Sequence, residues 1–120
     1  MYEIFTYGRF EVEPANEQAF VQAWSEFAAW VSAQPGAVTF RLVRDVRNAG
    51  RFISFGQWED ADAVRTWKSS AEFKEGLSRV VKQATEFEPT ELVVLKKAAG
   101  GTVETLAPPA DIEAIHAPTS

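Results

Sequence analysis

Apolar and polar residues alternate at the start of the chain. Between residues 2 and 12, Ile4 and Phe10 share one side of an extended chain, whereas Phe5 and Tyr7 share the other. A period of two predicts a β-strand, because successive side chains of a strand point to opposite faces.

A long amphipathic helix is predicted next. Pro14 cannot lie in the middle of a strand, and Asn16 just before Glu17 is a suitable N-cap. Apolar residues then recur at spacings of three and four until the Pro35-Gly36 pair ends the helix. The apolar positions are Phe20, Ala23, Trp24, Phe27, Trp30 and Val31.

Two strands and a hairpin are predicted after this helix. Residues 37–47 and 51–59 are rich in Val, Phe, Ile and Trp. Between them, Asn48-Ala49-Gly50 contains residue types that tolerate a positive φ in a tight turn. We therefore expect residues 37–59 to form two antiparallel strands.

The second helical region is divided in two by its caps. Asp60 is a suitable cap for a short helix through Val64 and Trp67, and Ser69 with Glu72 forms a capping box that opens the next helix. That helix has an apolar face made of Phe73, Leu77, Val80, Val81 and Ala84. Pro89 is expected to end the region, and the apolar run of residues 92–95 predicts a strand buried on both faces.

The predicted fold class is α+β, a ferredoxin-like βαββαβ domain with a four-stranded antiparallel sheet and its helices on one face. Both faces of this sheet carry apolar side chains, although helices cover only one. An exposed apolar patch on a monomer rarely exceeds roughly 300 to 600 Å². We therefore expect a homodimer that closes sheet against sheet. The apolar residues expected on one face include Ile4, Phe10, Phe52 and Trp58. Those expected on the other face include Phe5, Tyr7, Ile53 and Phe55.

Composition narrows the class of protein. The chain has 120 residues, 46% of them hydrophobic and 24% charged, which fits one globular domain. Its net charge of −5 and scattered basic residues argue against nucleic acid as a partner. No signal-peptide pattern or long apolar run indicates a membrane segment, so we expect a cytoplasmic protein. We expect a domain over residues 1–97 and, over 98–120, a tail that docks on the body or on the partner subunit.

The segment RFISFGQWEDADAVRTWKSSAEFKEGL, residues 51–77, resembles the antibiotic biosynthesis monooxygenase family. The motif is a strand ending in Trp-Glu, a short helix with a Trp, a Ser break and then Glu-Phe-Lys. With QPGAVTFRLVRD at 34–45, the similarity extends over about residues 2–96. It implies a dimeric α/β barrel with a cavity between sheet and helices in each subunit. Some members oxygenate aromatic compounds without metal or flavin, and relatives of the same fold bind and degrade haem.

The resemblance makes Trp67 the first candidate catalytic residue, since it matches a tryptophan that lines the pocket of these relatives. Its indole N–H could donate to a ring oxygen of a ligand, but a Trp on a short amphipathic helix is also an ordinary core residue. Tyr7 is a second catalytic candidate. Candidate substrate-binding residues, each with core packing as its alternative, are Phe20, Trp24, Phe52, Ser54, Trp58, Phe73 and Leu77.

Two positions depart from the family pattern. Leu77 stands where haem-degrading relatives have a histidine ligand, and Gly8 is the best match for an asparagine that assists chemistry in several relatives. The leucine disfavours haem oxygenation, and the glycine means that the usual polar anchor for the chemistry is missing. His116 is the sole histidine, and it lies in the tail, where a short helical turn could cover the cavity. Polar residues that could compensate are Tyr7, Ser54, Arg41 and Arg65.

Three functions follow as hypotheses. The first is a cofactor-independent monooxygenase acting on a hydrophobic aromatic or quinol-type small molecule. The second is a ligand-binding or structural homodimer that has lost the chemistry. The third is haem binding without a histidine ligand. No metal-ligand cluster, phosphate loop or dinucleotide fingerprint is recognisable, so we expect no cofactor and no metal.

Overall fold

The structure is a computed structural model that describes residues 2–107. One antiparallel sheet has the strand order β2-β3-β1-β4, with three helices in the connections, which confirms the predicted ferredoxin-like fold. The strands of this sheet are β1 Ile4–Glu11, β2 Ala37–Arg44, β3 Arg51–Trp58 and β4 Glu86–Val93. The helices are α1 Glu17–Val31, α2 Ala61–Lys68 and α3 Ala71–Val81, with a 3₁₀ turn at Pro14–Asn16.

Strand β1 lies at the centre of the sheet. It pairs along its whole length with β3, from Ile4 opposite Trp58 to Glu11 opposite Arg51, and equally with β4 on its other side. Because side chains alternate along a strand, the even-numbered residues of β1 face the helices and the odd-numbered ones face away.

The core between sheet and helices consists of two clusters that Phe27 joins, since it packs against both. The first lies beneath α2 and includes Ile4, Val31, Trp58, Ala61, Val64, Trp67 and Phe73. The second lies beneath α1 and α3 and includes Phe10, Val12, Phe20, Phe52 and Val80.

The helix caps agree with the sequence in part. The Asp60 side chain accepts a hydrogen bond from the Ala63 N–H at 2.8 Å, as predicted. The cap of α3 is Ser70, whose hydroxyl accepts from the Phe73 N–H at 3.1 Å, so the prediction of Ser69 was wrong by one residue. Asn16 makes no side-chain cap, because the 3₁₀ turn leaves its backbone out of the extended conformation that capping requires.

Strand β4 differs most from its prediction. It begins at Glu86 and contains Pro89. The sequence predicted instead that Pro89 ends the helical region and that the apolar run of residues 92–95 forms the strand. β4 is an edge strand, and Leu92 near its end is 45% exposed, so it is not buried on both faces. The Val94 N–H donates to the Glu3 carbonyl, and hydrogen-bonded pairs alternate along the ladder. Pro89, five residues earlier, therefore has its nitrogen directed away from β1, where no N–H is needed.

A small hairpin follows the sheet. Strands β5 Lys96–Ala99 and β6 Thr102–Thr105 are joined by two glycines with positive φ, and Leu106, which follows β6, is buried. The expected boundary between residues 97 and 98 falls inside β5. His116 lies outside the described residues. Among the helices within residues 2–107, none is long and apolar enough to cross a membrane.

Gly56 in β3 provides a test of how tightly the helix-facing side of the sheet is packed. A Cβ at this position would lie 2.0 Å from Cδ2 of Phe40, so Gly56→Ala requires the ring to move. We expect the free energy of unfolding to fall by about 2 kcal/mol in urea denaturation. Gly8→Ala, where the nearest ring atom is 3.0 Å away, should cost less. Equal stability of Gly56→Ala and the wild type would contradict this packing.

Candidate active site

A cavity of about 210 Å³ lies between the sheet and the helices, where the two core clusters meet. Two of its wall residues, Lys74 of α3 and Pro89 of β4, are exposed, which indicates that the cavity opens between these elements. The wall is formed by Thr6, Tyr7, Gly8, Phe10, Trp24, Phe27, Ser54, Trp67, Lys68, Phe73, Lys74, Leu77, Val80, Phe87, Pro89, Thr90 and Glu91.

Trp67 is the aromatic centre of this wall. It is only 9% exposed, and its ring centroid lies 3.9 Å from that of Phe73 and 4.8 Å from that of Trp58. Its indole Nε1 is buried and has no hydrogen-bond partner within residues 2–107. A buried N–H without an acceptor is costly, so this atom is prepared to donate to a bound ligand.

Two other tryptophans near the cavity have satisfied N–H groups. Trp24 donates to the Ser54 hydroxyl at 2.9 Å, and Trp58 donates to the Thr6 hydroxyl at 3.3 Å. Each bond fixes an indole against the sheet and occupies the hydroxyl of a wall residue as an acceptor. The contrast with these two side chains makes the free Trp67 donor a specific feature of the site.

An ion pair is built into the same wall. Lys68, the last residue of α2, places its Nζ 2.9 Å from Oε1 of Glu91 in β4, and the two side chains are 16% and 4% exposed. Glu91 lies opposite Thr6 in the β1–β4 ladder and thus faces the helices. Removing two charges from water is expensive, and their mutual attraction offsets much of that cost only while both are present.

The charge of the wall differs from that of the whole chain. Lys68, Lys74 and Glu91 are its ionisable residues apart from Tyr7, two cations against one anion, whereas the chain carries a net charge of −5. An apolar cavity with a local excess of positive charge favours ligands that bear an ionised oxygen.

Most of the residues predicted from sequence meet at this cavity. Trp24, Ser54, Trp67, Phe73 and Leu77 all line it. Three other candidates, Phe20, Phe52 and Trp58, do not; each is at most 3% exposed and packs inside one of the core clusters.

Tyr7 borders the cavity but belongs to the other side of the sheet. Its ladder partners are Phe55 and Thr90, which share the face that the helices do not cover. Strand alternation therefore directs its side chain away from Trp67. Arg41 also lies on that face, and Arg65 is exposed on α2 and pairs with Asp62.

Gly8 shows how the missing polar anchor is accommodated. It lies opposite Ser54 on one side and Pro89 on the other, in the floor of the cavity. The stacked rings of Phe10 and Phe87, with centroids 4.7 Å apart, come within 3.2 Å of where its Cβ would be. Aromatic rings thus occupy the space that a longer side chain at this position would need.

The sequence did not reveal Lys68 and Glu91 as site residues. Their meeting depends on the register of β4, which was predicted to start after Pro89 rather than before it. Had the strand been extended back to Glu86, the alternation of Phe87, Pro89 and Glu91 would have directed the carboxylate towards the helices.

Solved structures share this fold. SnoaB, a cofactor-independent oxygenase from Streptomyces nogalater, superposes with a TM-score of 0.69 at 20% identity, over 85% of this chain and 100% of that one. Rv0793 from Mycobacterium tuberculosis gives a TM-score of 0.70 at 17% identity, over 81% and 99%. A conserved protein of unknown function from Bacteroides thetaiotaomicron gives 0.70 at 15% identity, over 78% and 98%. At these identities the likeness shows the fold.

Family membership comes from the sequence. No curated protein matches the chain significantly. The model of the antibiotic biosynthesis monooxygenase family matches residues 4–79, which is more than half of the 120 residues and includes β1 through most of α3. This is the family that the segment around Trp67 resembles, and the chain belongs to the antibiotic biosynthesis monooxygenase family.

Proposed function

We propose that this protein is a cofactor-independent monooxygenase that oxidises a hydrophobic aromatic or quinol-type small molecule. The observation that carries the proposal is the buried Trp67 N–H, which has no acceptor within residues 2–107 and lies in the wall of a mainly apolar cavity rich in aromatic side chains. Membership of the monooxygenase family supports it. So does the shared fold with SnoaB, which is described as a cofactor-independent oxygenase.

The size of the cavity limits the substrate. A cavity of about 150 Å³ is enough for benzene, and pockets for drug-sized ligands start at about 300 Å³. The volume of about 210 Å³ therefore suits one substituted ring. Further rings would have to extend through the opening between α3 and β4. A single-ring quinol is the substrate that fits best.

The chemistry requires an electron-rich substrate. Triplet oxygen reacts slowly with neutral closed-shell molecules, whereas a phenolate can give it an electron. A hydroquinone supplies all the reducing equivalents itself. One oxygen atom enters a ring C–H bond, the quinol becomes a hydroxyquinone, and the other oxygen leaves as water. The protein contributes a dry cavity and the Trp67 donor, which stabilises charge on the ring oxygen.

A non-catalytic role is the second candidate. The rings of Phe10 and Phe87 close the space next to Gly8, where several relatives carry an asparagine, and this favours a ligand-binding or structural protein. Haem is not part of the proposal, because Leu77 in the cavity wall has no atom that can ligate iron.

Oxygen consumption tests the proposal. With a panel of alkyl hydroquinones and anthrones in an oxygen electrode, we expect catalysed uptake that is fastest with single-ring quinols. Trp67→Phe keeps an aromatic ring but removes the N–H, so it should lower kcat about 100-fold. Trp30→Phe, outside the cavity, is the matched control and should leave kcat unchanged. Oxygen uptake no faster than the uncatalysed reaction with every substrate would contradict the proposal and favour the non-catalytic role.

We also infer that the protein is a homodimer closed through the uncovered face of its sheet. That face carries a contiguous apolar area around Phe5 and Phe55, whose ring centroids are 6.4 Å apart. Ile53 and Tyr7 lie beside them, and Leu92 in β4 extends the area to the sheet edge. A second copy would bury these side chains.

Ion pairs occupy one end of the same face. Glu11 accepts a hydrogen bond from Arg51 Nε at 2.8 Å and also pairs with Arg9, which in turn lies near Glu86 and Glu88. The Arg51 hydrogen bond is the main cause that lowers the pKa of Glu11. These pairs neutralise charges at the end of the face and leave its centre apolar.

Sedimentation velocity at micromolar concentration tests the dimer. The wild type should sediment as a dimer, and Phe55→Glu should give monomers because it places a charge in the centre of the interface. Val46→Glu, at a position that is 95% exposed in the β2–β3 turn, is the matched control and should remain dimeric. A monomeric wild type would exclude this assembly.

A further inference from the structure

We propose that the Lys68–Glu91 pair is the proton-transfer site of the cavity, where Glu91 accepts the phenolic proton of the ligand and Lys68 binds the resulting phenolate. The choice of a phenolic ligand rests on the proposed function. The assignment of the two residues rests on their geometry in this structure. Neither the family match nor the structural relatives provide that assignment.

The two side chains are positioned by different elements and meet inside the wall. Lys68 ends α2 and follows Trp67 directly, while Glu91 projects from β4 towards the helices. The separation of Nζ and Oε1 is 2.9 Å, and exposures of 16% for the Lys68 side chain and 4% for the Glu91 side chain make this a mostly buried pair. Both residues line the cavity, so a ring oxygen bound in it has access to them.

Glu91 is the strongest base that the cavity wall offers. The hydroxyls of Ser54 and Thr6 already accept hydrogen bonds from Trp24 and Trp58, and a hydroxyl is a far weaker base than a carboxylate. Tyr7 is directed to the other face of the sheet. Within the described wall, the carboxylate of Glu91 is therefore the group to which a phenol can lose a proton.

The transfer keeps the charge of the cavity constant. The O–H bond of the phenol breaks and an O–H bond forms on the Glu91 carboxyl group, so the negative charge moves from the protein to the ligand. Lys68 has a carboxylate as its partner before the transfer and a phenolate after it. No charge is left buried without a counter-ion, which is the condition under which a buried pair is tolerated.

Trp67 adds a second donor to the same oxygen. It precedes Lys68 in the last turn of α2, and its buried N–H has no partner within the described part of the chain. Because both residues line the same cavity, an ammonium and an indole N–H are available to one bound phenolate. Charge-assisted hydrogen bonds of this kind are about twice as strong as those between neutral groups.

The experiment uses 4-nitrophenol, which cannot serve as a quinol substrate and whose phenolate is yellow while its neutral form is colourless. At a pH where the free probe is mostly neutral, adding the wild-type protein should turn the probe yellow in a saturable manner. Because Glu91 keeps the proton, the wild type should form the yellow complex without releasing a proton to the buffer, whereas Glu91→Gln, whose amide cannot take the proton, should release about one proton per yellow complex, measured by calorimetry in buffers of different ionisation enthalpy.

Matched variants separate this role from simple charge effects. Glu75→Gln, on α3, and Lys82→Met, at the end of α3, remove one charge each, as Glu91→Gln and Lys68→Met do, but at exposed positions. Both variants should bind the phenolate like the wild type. Lys68→Met should lose the yellow form, but it leaves a carboxylate buried without its ammonium. The double variant Lys68→Met with Glu91→Gln removes both charges, so it should fold, by its thermal melt, and bind only neutral 4-nitrophenol.

The outcomes differ from those that test the monooxygenase. A yellow complex that keeps the proton in the wild type and releases it in Glu91→Gln supports the assignment even if no quinol consumes oxygen, in which case only the monooxygenase proposal fails. A wild type that binds the neutral probe alone by calorimetry, or does not bind it, overturns the assignment. So does a yellow complex that releases as many protons in the wild type as in Glu91→Gln. Quinol oxidation that Glu91→Gln leaves unchanged would overturn the assignment and leave the monooxygenase in place.

Discussion

The hydrogen bonding of β1 on both of its sides is the constraint on which the rest of the structure depends. Because the strand is fixed between β3 and β4 along its whole length, none of its side chains can exchange faces. Ile4 and Phe10 therefore enter the core and Gly8 forms the cavity floor. Phe5 and Tyr7 are assigned to the face on which we propose that a second copy docks.

The same constraint positions the cavity of this small domain. The two core clusters are each filled by large aromatic side chains, and the cavity lies where they meet, with Gly8 and the rings of Phe10 and Phe87 in its wall. Indole N–H groups on either side are fixed to hydroxyls of the sheet, which keeps Trp24 and Trp58 from collapsing into the space. Trp67 and the Lys68–Glu91 pair remain at the wall, where a ligand can reach them.

The fold could be predicted from the sequence because its elements have strong periodicity and caps, as the Asp60 cap and the turn at Gly50, where φ is 91°, illustrate. The ion pair could not, since it requires both the start of β4 and its register against β1. The proline in β4 concealed that start. The β5–β6 hairpin was missed for another reason: every residue of its strands is exposed, so no apolar face gives an alternating pattern.

Pro89 also affects whether the exposed edge of the sheet can pair with strands of other molecules. An edge strand normally offers a row of free N–H and C=O groups that can recruit a strand from another molecule and begin aggregation. With its ring nitrogen directed outwards, Pro89 removes a donor from that row at the point where the cavity opens. Lateral growth of the sheet is thus hindered where it would also seal the entrance, while the uncovered face, on which we propose that a second copy docks, is unaffected.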